Sequence, residues 1–510
     1  MIKITNKKQS INSLSKISQK KRREGKKIVL CHGVFDLLHI GHIKHFEQAK
    51  SHGDILIVSI TADNFVNKGP GRPAFNEANR LEAITSLSMV DYATINYDLT
   101  ATKLINQIKP NIYCKGPDYR NKSKDITGEI NNEIKALNKI GGKIVFTGGR
   151  TFSSSNLINR YSDNNTENQK KSIISIKKKY DFKKINNLVN KFKNLKVLVL
   201  GEAIIDQYVF CDALGKSGKE PVLALREMKS ENYFGGALAI TRHVSQFCNK
   251  TDLFSMLGEK KEFLSNIKKN LEKNIKFNFI NKKNSPTIFK KRFVDYISKN
   301  KILGVYKIND DPLSTNEENI LNNKLKKILP KYDVVIVSDY GHGFISKKTA
   351  KIICSKSKFV SLNAQVNASN IGYHSMRKYK GIECLIINEK EIRHELRNRS
   401  SDVKNLMKKL SKEQRIKNIV VTRGSNGSIL YNLKENIFKF SDAFAKKAVD
   451  KIGAGDAMLS LISLCLRSNF TYDMSLLIGS LAAAFSAETM GNKEPVSKIK
   501  ILKSIEHIIK

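Results

Sequence analysis

Short apolar runs, each followed by a segment with helical spacing, recur from Lys27 onward, and this alternation limits the possible folds more than any other feature. "KIVLCHGVF" has the character of a buried strand, "IGHIKHFEQAKSHG" of a helix closed by Gly53, and "DILIVSIT" of the next strand. "EANRLEAITSLSMV" is amphipathic, and "YATIN", "NIYCKG" and "GGKIVFTGG" are further strands. Strands separated by helices of this length predict a parallel sheet with crossover helices. The polar stretch "SDNNTENQKKS", 162–172, lacks periodicity and reads as a linker. A lysine-rich helical segment follows. "LKVLVLGEAIID" then opens a second α/β unit that continues through "YDVVIVSDYG", "KFVSLNA", "ECLIIN" and "NIVVTRG". The expected organisation is a basic extension with a short amphipathic helix (1–25), a first domain (26–161), linker and lysine-rich helix (162–194), and a second domain (195–510). A chain of 510 residues is too long for one core in any case.

Composition excludes more than it assigns. No apolar run approaches the length of a membrane span, and the basic N-terminus has no secretory core. The seven scattered cysteines form no CxxC pair, which suits reduced thiols and a cytoplasmic location. The formal charge of +43 is spread along the whole chain with abundant asparagine and isoleucine. That pattern predicts no dedicated nucleic-acid partner, although it favours anionic substrates.

Five of the ten histidines fall between His32 and His52. "GVFDLLHIGHIKH", 33–45, places His39 and His42 where a strand hands over to a helix. In an open parallel sheet ligands bind at such points, and the N–H groups opening a helix attract anions. Gly41 allows a close approach, and the spacing of three puts both imidazoles on one helical face. Imidazolium donors there suit nucleotidyl transfer, in which charge builds on the α-phosphate and the departing pyrophosphate. A metal site at His39, His42 and His45 lacks acidic or cysteine partners at matching spacing. A synthetase reading of His-Ile-Gly-His fails because "KKLSKEQ", 408–414, lies on a helix of the other unit.

With "GRPAFNEANRLEAI", "KPNIYCKGPDY" and "TFSSSNLI" following in order, residues 26–160 resemble the cytidylyltransferase-like nucleotidyltransferases. The resemblance implies that Gly33, Phe35 and Asp36 line the nucleotide pocket, that His39 and His42 contact the phosphates, and that Arg80 lies near the nucleotide. It further implies that Ser153, Ser154 and Ser155 close over the triphosphate, a run that also suits a helix N-cap. Lys115, Asp118 and Tyr119 would face the sugar phosphate or a neighbouring subunit.

"VDKIGAGDAMLSLISL", 449–464, carries the second signal. Gly453, Ala454 and Gly455 form a small-residue turn whose N–H groups can gather around a phosphoryl group, and Asp456 heads the apolar helix that follows. A carboxylate there can take the proton of an attacking hydroxyl, or simply cap the helix. Together with "LVLGEAIIDQY", "NYFGGALAI", "INEKEI" and "VVTRGSNGSILY", residues 195–510 resemble the ribokinase-like (PfkB-type) sugar kinases, and most of all the kinase half of the bifunctional ADP-heptose synthase family. By that resemblance Asp206, Gly235 and Gly236 hold the sugar, Asn388 and Glu391 organise Mg²⁺ through water, Thr422, Gly424 and Gly427 sit by the nucleotide, and Asp456 is the base. Two places depart from it. Ala239 stands near an expected asparagine, and the long polar "LNAQVNASNIGYHSMRKY", 362–379, replaces an Asp-Pro-Lys turn.

The expected fold class is therefore α/β in two domains, a Rossmann-like HxGH nucleotidyltransferase followed by a ribokinase-like kinase, in the reverse of that family's order. The expected function is bifunctional synthesis of a nucleotide-activated sugar from a sugar phosphate and ATP, with CTP possible for the first domain, Mg²⁺ as cofactor and a homodimer as a possible assembly. A polyol-phosphate cytidylyltransferase fused to another kinase, a sugar-binding module without turnover, and a nucleic-acid-binding protein are the alternatives.

Overall fold

The computed structural model describes residues 7–120, 129–148, 167–445 and 448–509. The chain divides into two units: 1–165 together with Leu502–Ile508, and 166–501. All seven cysteines are free. Among the described residues no helix is long and apolar enough to cross a membrane.

The first unit is built on five parallel strands: β1 (Ile28–Gly33), β2 (Ile55–Thr61), β3 (Tyr92–Asn96), β4 (Ile112–Lys115) and β5 (Lys143–Phe146). Their order is β3-β2-β1-β4-β5. β1 is buried on both faces: Val29 and Cys31 belong to one apolar cluster, Ile28 and Leu30 to the other. A central parallel strand covered by helices on both sides requires this continuous apolar run, since alternate residues meet opposite layers. The basic N-terminal segment is part of this core and not a free extension. Its helix, Ile11–Arg23, buries Leu14, and Ser18 Oγ donates to the Ile108 carbonyl at 2.6 Å.

The second unit has a nine-stranded sheet and a four-stranded sheet. The larger runs β10 (Ile275–Lys282), β9 (Lys250–Gly258), β6 (Lys196–Gly201), β13 (Val334–Asp339), β14 (Val360–Ala364), β15 (Cys384–Asn388), β16 (Asn418–Thr422), β17 (Ser428–Asn432) and β18 (Ile437–Ser441). All pairs up to β16 are parallel, and the last two are antiparallel. The smaller sheet runs β12 (Lys301–Lys307), β11 (Phe289–Asp295), β7 (Ala203–Lys216) and β8 (Leu223–Gly236). β7 leaves the large sheet directly after β6, separated from it by Glu202 alone, so the small sheet stands at the carboxyl end of the large one.

Candidate active sites of the two units

Strand order reverses between β1 and β4 in the first unit, and the crevice beyond their carboxyl ends is where a ligand of such a sheet binds. His39 is the N-cap of the helix Ile40–Lys50, and its Nδ1 accepts the Gly41 N–H at 3.1 Å. The His42 ring stacks on it with centroids 3.9 Å apart and meets the Phe35 ring edge-on at 5.3 Å. Gly33 is required by that packing, because a Cβ there would lie 2.9 Å from the Phe35 ring. The two histidines thus converge at a helix start, but as neutral rings. Burial, with His39, Lys68 and His45 close by, lowers His42 to about 3, and burial and Lys68 lower His39 as well. Burial and the cations nearby disfavour positive charge on both rings, which an anion at this helix start would restore.

Three other residues named from the sequence have extensive partners within the unit. Asp36 accepts the N–H groups of Ala74 (2.7 Å) and Phe75 (3.1 Å) and pairs with Arg72 at 2.8 Å. It is buried and shapes the loop. Arg80 is 1% exposed and donates to the carbonyls of Phe75, Val34 and Thr61 and to Asp63. Four of its five N–H donors join the ends of β1 and β2 to the loop. Lys115 is likewise turned inward, 3.1 Å from the buried Glu133, with the Tyr119 ring 4.7 Å from its ammonium. Ser153, Ser154 and Ser155 lie outside the described residues, as does the Asp118 side chain.

The basic groups that sequence reasoning passed over are Lys68 and Arg72, in "NKGPGRP". The Lys68 ammonium is brought down to about 8 by burial and by Arg72. Two basic residues around a glycine turn between a strand and a helix were the available signal.

If Arg80 is a clamp, Arg80→Ala will destabilise the first unit by about 3–5 kcal/mol, because it leaves Asp63 and three carbonyls without their donor. Hydrogen exchange read by mass spectrometry should then rise in 55–61 and 72–80. A nucleotide-binding role instead predicts unchanged exchange and lost nucleotide affinity.

In the second unit the order reverses between β6 and β13, and Glu202 and Tyr340 meet there. Glu202 is fully buried and accepts the N–H groups of Tyr340 (2.9 Å) and His342 (3.2 Å). Burial and the nearby Asp339 push it up to about 7. The helix Ala454–Arg467 begins at Gly453, whose φ of 90° and position against Asn492 leave no room for a side chain. Ala454 is its first residue, and no atom lies within 4 Å of where a Gly455 Cβ would stand. This leaves the opening turn accessible to an anion. Asp456 does not cap the helix. Its Oδ1 accepts the Tyr340 hydroxyl at 2.8 Å, and burial pushes it up to about 7, against the pull of Tyr340 and Lys290 and with Asp206 and Glu391 adding.

Asp206, on β7, forms an ion pair with Arg292 of β11, and Lys290 is its register partner on that strand. Gly235 and Gly236 are placed where a side chain would not fit. A Cβ on Gly235 would overlap the Asp206 carboxylate, and Gly236 has a φ of 56°. Ala239 is buried in the helix that follows. Lys290 and Arg292 were not anticipated, because "FKKRFVD" has no periodicity that separates a site residue from a solvated lysine.

Asn388 and Glu391 form a capping box at the start of Glu389–Glu395: the Glu391 N–H donates to Asn388 Oδ1 at 2.8 Å, and the Asn388 N–H donates to Glu391 Oε2 at 2.9 Å. The box uses the Asn388 amide oxygen and one of the two Glu391 carboxylate oxygens. Among the described residues no group of three His, Cys, Asp or Glu side chains is placed to hold one. Thr422 ends β16 beside Asn388, and Gly424 and Gly427 take positive φ in the turn after it.

A switch-point crevice under a four-stranded lid, with a glycine turn and a carboxylate at the next helix, defines the fold of the sugar-kinase class. Residues 194–499, more than half of the chain, match the pfkB family carbohydrate kinases, and the chain belongs to that family. Residues 30–160 match the cytidylyltransferase-like family. The chain is 38% identical to the Bifunctional protein HldE of Aliarcobacter butzleri (strain RM4018) over 158 residues, 30% of this chain and 31% of that protein. To the Bifunctional protein HldE of Campylobacter jejuni (strain RM1221) it is 25% identical over 304 residues, 58% of this chain and 62% of that one. These matches span less than two thirds of either relative. Phosphofructokinase-2 from Escherichia coli in complex with potassium superposes with a TM-score of 0.51 at 14% identity, covering 62% of this chain and all of that one, a likeness of fold.

Proposed function

We propose that this chain makes a nucleotide-activated sugar, a heptose by its resemblance to the ADP-heptose synthases, with the nucleotidyltransferase preceding the kinase. The observation that carries the proposal is Asp456, a carboxylate in the first turn of the helix opened by Gly453, hydrogen-bonded to Tyr340 and pushed up to about 7 by burial. In the second unit an acceptor hydroxyl of a sugar phosphate gives its proton to Asp456 as its oxygen attacks the γ-phosphorus of ATP. ADP leaves, and the new ester is a sugar bisphosphate. Mg²⁺ would screen the phosphate charges, anchored through water by Asn388 and Glu391. Once a separate phosphatase has hydrolysed the other ester of that bisphosphate to inorganic phosphate, the remaining sugar 1-phosphate displaces pyrophosphate from a nucleoside triphosphate in the first unit, and His39, His42, Lys68 and Arg72 answer the charge that develops. Both steps belong to a cytoplasmic enzyme, and a homodimer is compatible with them.

The test is mass spectrometry of products from the full chain with Mg²⁺, ATP and D-glycero-D-manno-heptose 7-phosphate. A heptose bisphosphate is expected. A protein that binds ATP and yields none overturns the kinase assignment for this sugar. Heptose 1-phosphate offered with ATP or with CTP should release pyrophosphate, and the better nucleotide separates an adenylyltransferase from a cytidylyltransferase.

A further inference from the structure

The polar stretch 362–379, which departs from the sugar-kinase pattern, closes on the loop after β13. Tyr340 is the first residue of that loop, and its backbone is fixed on both sides. Its N–H donates to Glu202, and its carbonyl accepts from Asn367 Nδ2 at 2.9 Å and Asn370 Nδ2 at 2.7 Å. Gly341, with a φ of 73°, lies so close that a Cβ would come within 2.5 Å of Asn370 Nδ2 and 2.8 Å of the His374 ring. Asp339, before it, is held by Lys378 at 2.6 Å and by the Tyr379 hydroxyl at 2.6 Å. With its main chain so held, the Tyr340 hydroxyl donates to Asp456 Oδ1, 116 residues away in sequence.

We infer that Tyr340 is a positioning residue for Asp456, and that Asn367 and Asn370 of the polar stretch hold Tyr340 in place. The inference rests on the kinase reading of the second unit. One carboxylate oxygen is occupied by the phenol, so the other, Oδ2, is left to receive the proton of the acceptor hydroxyl. Burial and the adjacent Asp456 push the Tyr340 phenol up, so it stays a donor throughout the working range. A donor to the ionised form favours that form, and Tyr340 therefore opposes the burial that raises Asp456. The other groups acting on Asp456 are Asp206 from β7, Lys290 from β11 and Glu391 from the helix Glu389–Glu395.

The experiment uses the full chain and Tyr340→Phe, which keeps the ring and removes the donor. Asp456 is labelled with a carbodiimide and an amine across a pH series and read by peptide mass spectrometry, since only the protonated carboxyl reacts. The labelling midpoint should move up by about half to one unit in Tyr340→Phe. The Asn367→Ala/Asn370→Ala double variant should move it in the same direction by less. The acid limb of sugar phosphorylation should follow, so that the deficit of Tyr340→Phe shrinks as pH rises, whereas a merely structural role would lower turnover evenly. An unchanged midpoint in Tyr340→Phe overturns the inference, whatever the turnover. A wild-type protein that phosphorylates no sugar rejects the kinase reading instead, and the labelling still decides whether Tyr340 acts on Asp456.

Discussion

Replacing Asp456 with asparagine is expected to slow phosphoryl transfer by roughly 10²–10⁴-fold, the contribution of a positioned general base. Asparagine keeps the shape of the side chain and an oxygen for the Tyr340 hydroxyl, but it cannot take up the acceptor's proton. Nucleotide binding should survive, because in the proposed kinase site the turn Gly453–Gly455 would hold phosphate through backbone groups. The wild-type group sits near about 7, so turnover should climb through neutrality as Asp456 ionises and level off above it. The variant should lose that limb. ADP release followed against pH, with the sugar product weighed by mass spectrometry, measures both. A variant that keeps most of its turnover would show that the proton goes elsewhere.

His42→Ala is expected to lower pyrophosphate release by the first unit by roughly 10²–10³-fold, as when one donor to a developing oxyanion is removed. His39 accepts the Gly41 N–H at Nδ1, which puts its ring proton on Nε2, and His42 stacks directly on that ring. Both rings are neutral in the free protein because burial and neighbouring cations disfavour a further positive charge. A bound triphosphate supplies the missing counter-charge and raises both, so nucleotide binding should take protons up from solvent. Calorimetry in two buffers of different ionisation enthalpy reads that uptake directly. The expected sign is uptake in the wild type and less of it in His42→Ala. Release of protons would mean that the histidines do not face the phosphates.

Prediction and structure agree where chemistry depends on neighbours in sequence. The apolar run at β1, the histidines at the following helix start and the turn Gly453–Gly455 before Asp456 are each specified within a few residues. Backbone geometry at such places depends on local sterics and hydrogen bonding, so residue types alone reveal it. The roles of Arg80, Asp36 and Lys115 depend instead on partners far along the chain. Arg80 follows the loop after β2 in sequence, yet its guanidinium is bonded to the carbonyls of Val34, Thr61 and Phe75. Lys115 could equally have faced solvent or substrate, and only the packing of Glu133 at 3.1 Å turns it inward.

The polar stretch 362–379 is the clearest case. As sequence it is a run of asparagines with no period, readable only as a loop that breaks a pattern. In three dimensions Asn367 and Asn370 satisfy the carbonyl of Tyr340, and Tyr340 holds Asp456. Sequence therefore determined that the chain holds two α/β units and which carboxylate follows the glycine turn, whereas the units themselves take in the N-terminal helix Ile11–Arg23 and the residues from 166 onward. Only the tertiary structure decided which groups are charged, which are occupied and which are left to act, because burial and long-range hydrogen bonds set those and leave no periodic trace in the chain.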